Sequence, residues 1–174
     1  MIPATSIPLS IKKISETLEK NGFEVVQSFQ ELKSANLDFI YSVNVLEHIE
    51  DDQDILKNCF ERLHAGGRLY LYVPAFMHLY TSMDKKVGHH RRYTRQGLEK
   101  QVREAGFKVV FSRYTDSIGY FATLAYKIFG SRKGDINTGT IGLYDRYLFP
   151  LSQRLDHLVG RVFGKNVHLL AVKP

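Results

Sequence analysis

Two clusters of chemically capable side chains stand out along this chain. The first lies in YSVNVLEHIEDD, residues 41–52, where an apolar run gives way within two residues to Asn44, Glu47, His48 and three further acids. The second spans residues 76–93. Phe76, His78 and Tyr80 offer stacking and hydrogen bonds, Lys85 and Lys86 add positive charge, and GHHRRY then gathers His89, His90, Arg91, Arg92 and Tyr93. The guanidinium fork matches a phosphate or carboxylate through two parallel hydrogen bonds, so Arg91 and Arg92 could grip an anionic ligand. The same residues allow a plainer use, in which Arg91 and Tyr93 tie their loop to the body of the domain. His78, His89 and His90 fall within thirteen residues but lack the regular spacing of ligands on a helix. Cys59 is the only cysteine. No metal centre and no internal disulfide are therefore expected.

Positioning such residues requires a scaffold, and the apolar pattern supplies one. LDFIYSV (37–43) is almost wholly apolar, as a strand covered on both faces should be. Asp51 or Asp52 can cap the next helix, whose stripe is Ile55, Leu56, Cys59, Phe60 and Leu63, and His64-Ala65-Gly66-Gly67 ends it. RLYLYV (68–73) is the following strand and Pro74 closes it. Thr94 reads as the cap of a helix carrying Leu98, Val102 and Ala105, with Gly106 as its stop. FKVVFSRY (107–114) is a strand, 117–129 an apolar helix, 131–142 a Gly-rich loop, the stretch after Pro150 helical, and NVHLLAV (166–172) a last strand. Upstream, Ile11, Ile14 and Leu18 keep helical spacing and FEVV (23–26) is a short strand. This alternation predicts an α/β class, a mostly parallel sheet with helices on both faces. In open parallel sheets ligands bind outside the carboxyl ends of the strands. Asn44, Glu47 and His48 follow one such end, and Pro74 to Tyr80 follow the next.

Composition narrows the setting. At 174 residues, 44% hydrophobic and 24% charged, the chain suits one globular domain over residues 1–174. No basic segment precedes an apolar core at its start, and the longest apolar tract, 117–129, falls short of the roughly 20 residues that span a bilayer. A cytoplasmic protein without a transmembrane segment is expected. The formal charge of +6 is polarised: nine Lys and Arg face two acids between Lys85 and Arg113, whereas residues 1–63 hold eleven acids against six bases. One electropositive face is implied, suited to an anion, or simply a solvated helix surface. Basic surface alone is weak evidence for nucleic acid, and no nucleic-acid motif is present.

DFIYSVNVLEHIEDDQDIL…LHAGGRLYLYVPA resembles the fourth strand, following helix and fifth strand of the Rossmann-like methyltransferases that use S-adenosylmethionine. MDKKVGHHRRYTRQGLEKQVREAGFKV and the tail LYDRYLFPLSQRLDHL…VHLLAVKP are similar to one bacterial branch of that superfamily, in which a His-Arg-Arg-Tyr element follows the fifth strand. The resemblance covers essentially residues 5–174. Its usual Gly-rich loop and ribose-binding acid have no counterpart, so it implies a partial fold lacking the first βαβ unit and beginning near the exit of the second strand.

The resemblance implies methyl transfer from S-adenosylmethionine to a small-molecule or lipid-linked acceptor of anionic character. By position in the family pattern, Ser28, Phe29, Ser42, Val43, Asn44 and His48 would line the cofactor. Phe76, His78, Tyr80, Arg91, Arg92 and Tyr93 would face the acceptor. His48, His89 and His90 are the candidate bases for an oxygen nucleophile. Without its usual neighbours, strand 37–43 would keep an unpaired edge, which predicts marginal stability or pairing with a second chain. Two other uses are compatible with the residues: a non-catalytic partner domain that has lost the cofactor loop, and a basic nucleic-acid module.

Overall fold

The computed structural model describes Lys20, residues 36–129 and residues 144–174. The expected first helix, the FEVV strand, Ser28, Phe29 and the Gly-rich loop lie outside the described residues. By its contacts the chain divides into Met1–Ser34 and Ala35–Pro174, and the sheet lies in the second unit.

Four strands form its sheet: β1 (Leu37–Val43), β2 (Leu63–Pro74), β3 (Lys108–Thr115) and β4 (Asn166–Val172), in the spatial order β1-β2-β4-β3. β1 runs parallel to β2, with Ile40 opposite Leu69 and Val43 opposite Tyr72. β4 is antiparallel to both β2 and β3. Three strands thus share one direction, and the last is inserted against it. The helices are α1 (Asp52–Arg62), α2 (Ser82–Val87), α3 (Arg95–Glu104), α4 (Ser117–Phe129) and α5 (Phe149–Val159).

Local chemistry accounts for most boundaries. The Asp51 carboxylate accepts from the Asp54 amide at 3.0 Å and caps α1, and the Thr94 hydroxyl accepts from the Gly97 amide at 3.1 Å and caps α3. α1 ends at Arg62, earlier than the His-Ala-Gly-Gly stretch suggests. That stretch instead extends the start of β2, with Gly66 at φ +85°.

Alternation along the strands separates two faces. Leu69, Leu71 and Val73 of β2 and Val167, Leu169 and Ala171 of β4 are wholly buried, as are Leu56 of α1 and Leu98 and Val102 of α3. α1 packs on β2, and α3 packs on β3, β4 and α1. Each such aliphatic side chain contributes about 1.5–3 kcal/mol by leaving water, so this face holds the unit together. Cys59 lies within it, and burial pushes its thiol up to about 11, which leaves it inert. On the opposite face Phe39 and Tyr41 of β1 are 52% and 71% exposed.

Candidate functional site at the outgoing edge of the parallel strands

The ends of β1 and β2 open onto one edge, and two loops meet there. After Val43 the backbone turns sharply: Asn44 adopts φ +52°, its amide still donating to the Tyr72 carbonyl at 2.9 Å, and Leu46–His48 form a short 3-10 turn. Asn tolerates this left-handed conformation better than most residues, so its place at the turn follows from sterics. After Pro74 the chain leaves the sheet and returns at Tyr93, which pairs with Ala75 in an isolated parallel bridge. The excursion is laced to the turn after β1, because the His90 amide donates to the Glu47 carbonyl at 2.8 Å.

GHHRRY is the lacing itself. Arg92 donates from Nε to Asp84 Oδ1 at 2.8 Å and from Nη2 to Asp84 Oδ2 at 2.9 Å, and a third bond reaches the Ala75 carbonyl. Asp84 also accepts from the Thr81 amide and hydroxyl, closing the capping box that starts α2. Burial raises the Asp84 carboxyl, but the bonds from Arg92 and Thr81 and the guanidinium charge outweigh it and hold the group below its ordinary range. Arg91 pairs with Asp52 at 2.9 Å and donates to the Glu50 carbonyl. The Tyr93 hydroxyl donates to Asp52 Oδ2 at 2.8 Å, and burial together with Asp52 pushes it above its ordinary value. For Arg91 and Tyr93 the geometry supports the tie to the body of the domain, and Arg92, read as an anion fork, is committed to Asp84 in the same way. For Arg92, which is buried, a cation without partners would be too costly to keep, and its donors are taken up by protein acceptors.

The histidines separate into three settings. His48 and His89 meet edge to face with ring centroids 4.6 Å apart. His89 Nδ1 bonds Asp84 Oδ1 at 2.8 Å, and its Nε2 lies 3.7 Å from Glu47 Oε1. His90 is exposed beside them. His78 stands apart, its Nε2 3.0 Å from the Tyr120 hydroxyl, in an aromatic cluster where Phe76 stacks on both His78 and Tyr114. Phe76 holds φ +60°, an uncommon conformation for a bulky residue and one found where a site over-determines the backbone. Tyr80 reaches the histidine group through its hydroxyl, which donates to the His89 carbonyl at 2.7 Å. Ser42 and Val43 occupy the end of β1, and Val43 and Asn44 are exposed at the edge.

The sequence placed Glu47 at this edge without giving it a role, and it did not point to Asp84 or Asp52 as members of the site. Glu47 is fully buried, and burial raises its carboxyl above the ordinary value despite the opposing pull of its own backbone amide, the neighbouring imidazoles and Arg92. Its oxygens, His48 and His89 place three potential donor atoms within 4.8 Å of one another. One signal was available for Asp84, since Thr81-x-x-Asp84 has the spacing of a capping box.

Solved structures define the class of fold. The chain is similar to a proposed sarcosine dimethylglycine methyltransferase from Galdieria sulphuraria, at 14% identity and TM-score 0.56 over 96% of this chain and 67% of that one. It is similar to an S-adenosylmethionine-dependent methyltransferase from Thermotoga maritima, at 15% identity and TM-score 0.56 over 94% and 70%. A chain from the complex of a Haloferax volcanii methyltransferase activator with a proposed methyltransferase matches at 16% identity and TM-score 0.51, over 86% of this chain and 61% of that one. The chain thus spans about three fifths to seven tenths of the length of these structures. At such identities they establish the α/β Rossmann-like methyltransferase fold in partial form. No curated protein matches. A family model for the methyltransferase domain matches residues 19–111, more than half the chain. This chain belongs to that methyltransferase-domain family.

Proposed function

We propose that the chain takes part in S-adenosylmethionine-dependent methyl transfer, in the cytoplasm, to an acceptor that is a small or lipid-linked anionic molecule. The observation that carries this reading is the meeting, at one sheet edge, of the turn after β1 and the excursion after β2 in a chain of this family. No described helix is long and apolar enough to cross a membrane.

The residues present fit part of such a cofactor. Asn44, exposed and held at φ +52°, would offer its side-chain amide, and Ser42 and Val43 bring the end of β1 beside it. When bound, S-adenosylmethionine supplies a methyl group already activated on sulfonium, so the protein's task is alignment. His48 and His89 lie where a hydroxyl proton of the acceptor could be taken, with Asp84 orienting His89. Arg91 and Arg92 are committed to Asp52 and Asp84, and exposed Lys85 at the end of α2 would add positive charge to attract an anionic acceptor. Calorimetric titration of the 174-residue chain with S-adenosylmethionine should give micromolar binding that Asn44→Ala weakens. Heats indistinguishable from dilution would end the reading for this chain.

Pairing with a second chain belongs to the same proposal. Among the described residues β1 pairs with β2 alone, and its exposed Phe39 and Tyr41 extend an apolar face to that edge. Light scattering after gel filtration should therefore give a mass above that of one chain, returning to the monomer value in the Phe39→Thr/Tyr41→Lys double variant. A monomer at every concentration would remove this part.

A further inference from the structure

Glu47 is 0% exposed, yet neither of its carboxylate oxygens has a hydrogen-bond partner. Nearly all buried polar atoms in folded proteins have one, and an exception asks what completes it. Among the described residues the nearest cationic candidate is His89, but its Nε2 stands 3.7 Å from Glu47 Oε1, beyond a hydrogen bond. The other ring nitrogen is already used. Nδ1 donates to Asp84 Oδ1 at 2.8 Å, and Asp84 is itself fixed by Arg92 and Thr81. That arrangement sets the tautomer in which Nε2 carries a lone pair, and it is the carboxylate–histidine pairing that orients imidazoles toward metals. A lone pair and a carboxylate then face each other across the gap, with the His48 ring against His89 at 4.6 Å. A divalent cation would satisfy all three.

We propose that Glu47, His48 and His89 form a binding site for one divalent first-row transition ion of the zinc type. Imidazole donors favour such ions over magnesium or calcium, which prefer oxygen alone. Bond lengths of about 2.0–2.2 Å in a tetrahedral site hold donors roughly 3.3–3.6 Å apart. Glu47 and His89 nearly meet that spacing already, and the widest separation in the triad, 4.8 Å at most, closes by rotation of the exposed His48 side chain. The charges behind the triad balance, because Arg92 neutralises Asp84. Two ligands follow β1 and the third follows α2, so no regular spacing announces the site in the sequence.

Three protein donors leave a coordination position for water or for an oxygen of an anionic acceptor. With an ion seated, both imidazoles would be ligands, and the ion would acidify an acceptor hydroxyl bound to it, whose proton would pass to bulk water. This extension alone rests on the methyl-transfer reading. The site does not, and its test reads the metal without cofactor or acceptor.

The chelator-stripped chain is titrated with Co²⁺, followed by its visible d–d absorption, and with Zn²⁺ by equilibrium dialysis. The expected result is one ion per chain at micromolar or tighter affinity, weakened at least about tenfold by His48→Gln and by Glu47→Gln. His48 is exposed, so its variant should keep the circular dichroism and melting profile of the parent. Failure to take up either ion would overturn the proposal. So would unchanged Co²⁺ affinity in His48→Gln, which would assign the ion to another pair such as His64 and Asp38. A loss of metal binding with S-adenosylmethionine binding intact would support the ion site on its own terms.

Discussion

Arg92→Ala is expected to lower the stability of the chain by about 3–5 kcal/mol, the usual cost of removing one partner from a buried ion pair. Arg92 and Asp84 have side chains only 7% and 2% exposed and share two hydrogen bonds under 3 Å. Deleting the guanidinium leaves the Asp84 carboxylate in a low-dielectric setting with only Thr81 and His89 as donors. The damage should spread. Asp84 starts α2, and Arg92 holds the Ala75 carbonyl where the excursion begins and ends. Arg92→Lys should recover little, since an ammonium on a flexible stem cannot reproduce the bidentate fork. Urea titrations read at constant slope measure the effect. A loss below about 1 kcal/mol, the scale of exposed pairs, would show that the guanidinium is not a brace.

Gly67→Ala should cost about 1–3 kcal/mol, the usual range for overpacking, and should act on β1 above all. A Cβ at this position would stand 2.9 Å from the carbonyl oxygens of both His64 and Leu37. Neither atom is the end of a flexible side chain, so relief requires the backbone to move. Leu37 opens β1, whose pairing with β2 begins here and already shifts register between Leu37 and Phe39. The separation should propagate along an edge strand that has no second neighbour among the described residues. Hydrogen exchange tests this directly: amides of 37–43 should lose protection while those of 166–172 keep theirs. Uniform loss across both strands would point to global destabilisation instead.

These two positions differ in how far the sequence announces them. Gly67 sits in a Gly-Gly pair between a helical stripe and a strand, and a tight passage there was legible. Arg92 was legible only as a fork for an anionic ligand, while the anchoring use was read for its neighbours Arg91 and Tyr93. Nothing local revealed that Arg92 is a brace. Its acceptor is eight residues upstream across a turn, and the partner of Arg91 is further still, at Asp52 in the first turn of α1.

The same division runs through the whole chain. Periodicity and capping, which act within a few residues, set the strand at 37–43, the helix at 117–129, the strand at 166–172 and the caps Asp51 and Thr94. They also set the sheet edge at which Asn44 and His48 emerge, because a strand's end and the turn after it are local matters. The tertiary structure alone decided that the last strand enters antiparallel between β2 and β3, and that Glu47 is buried without a donor beside His89. Those outcomes depend on which distant groups share a volume once water is excluded. Residues 47 and 89 acquire a common chemistry only when the chain has folded.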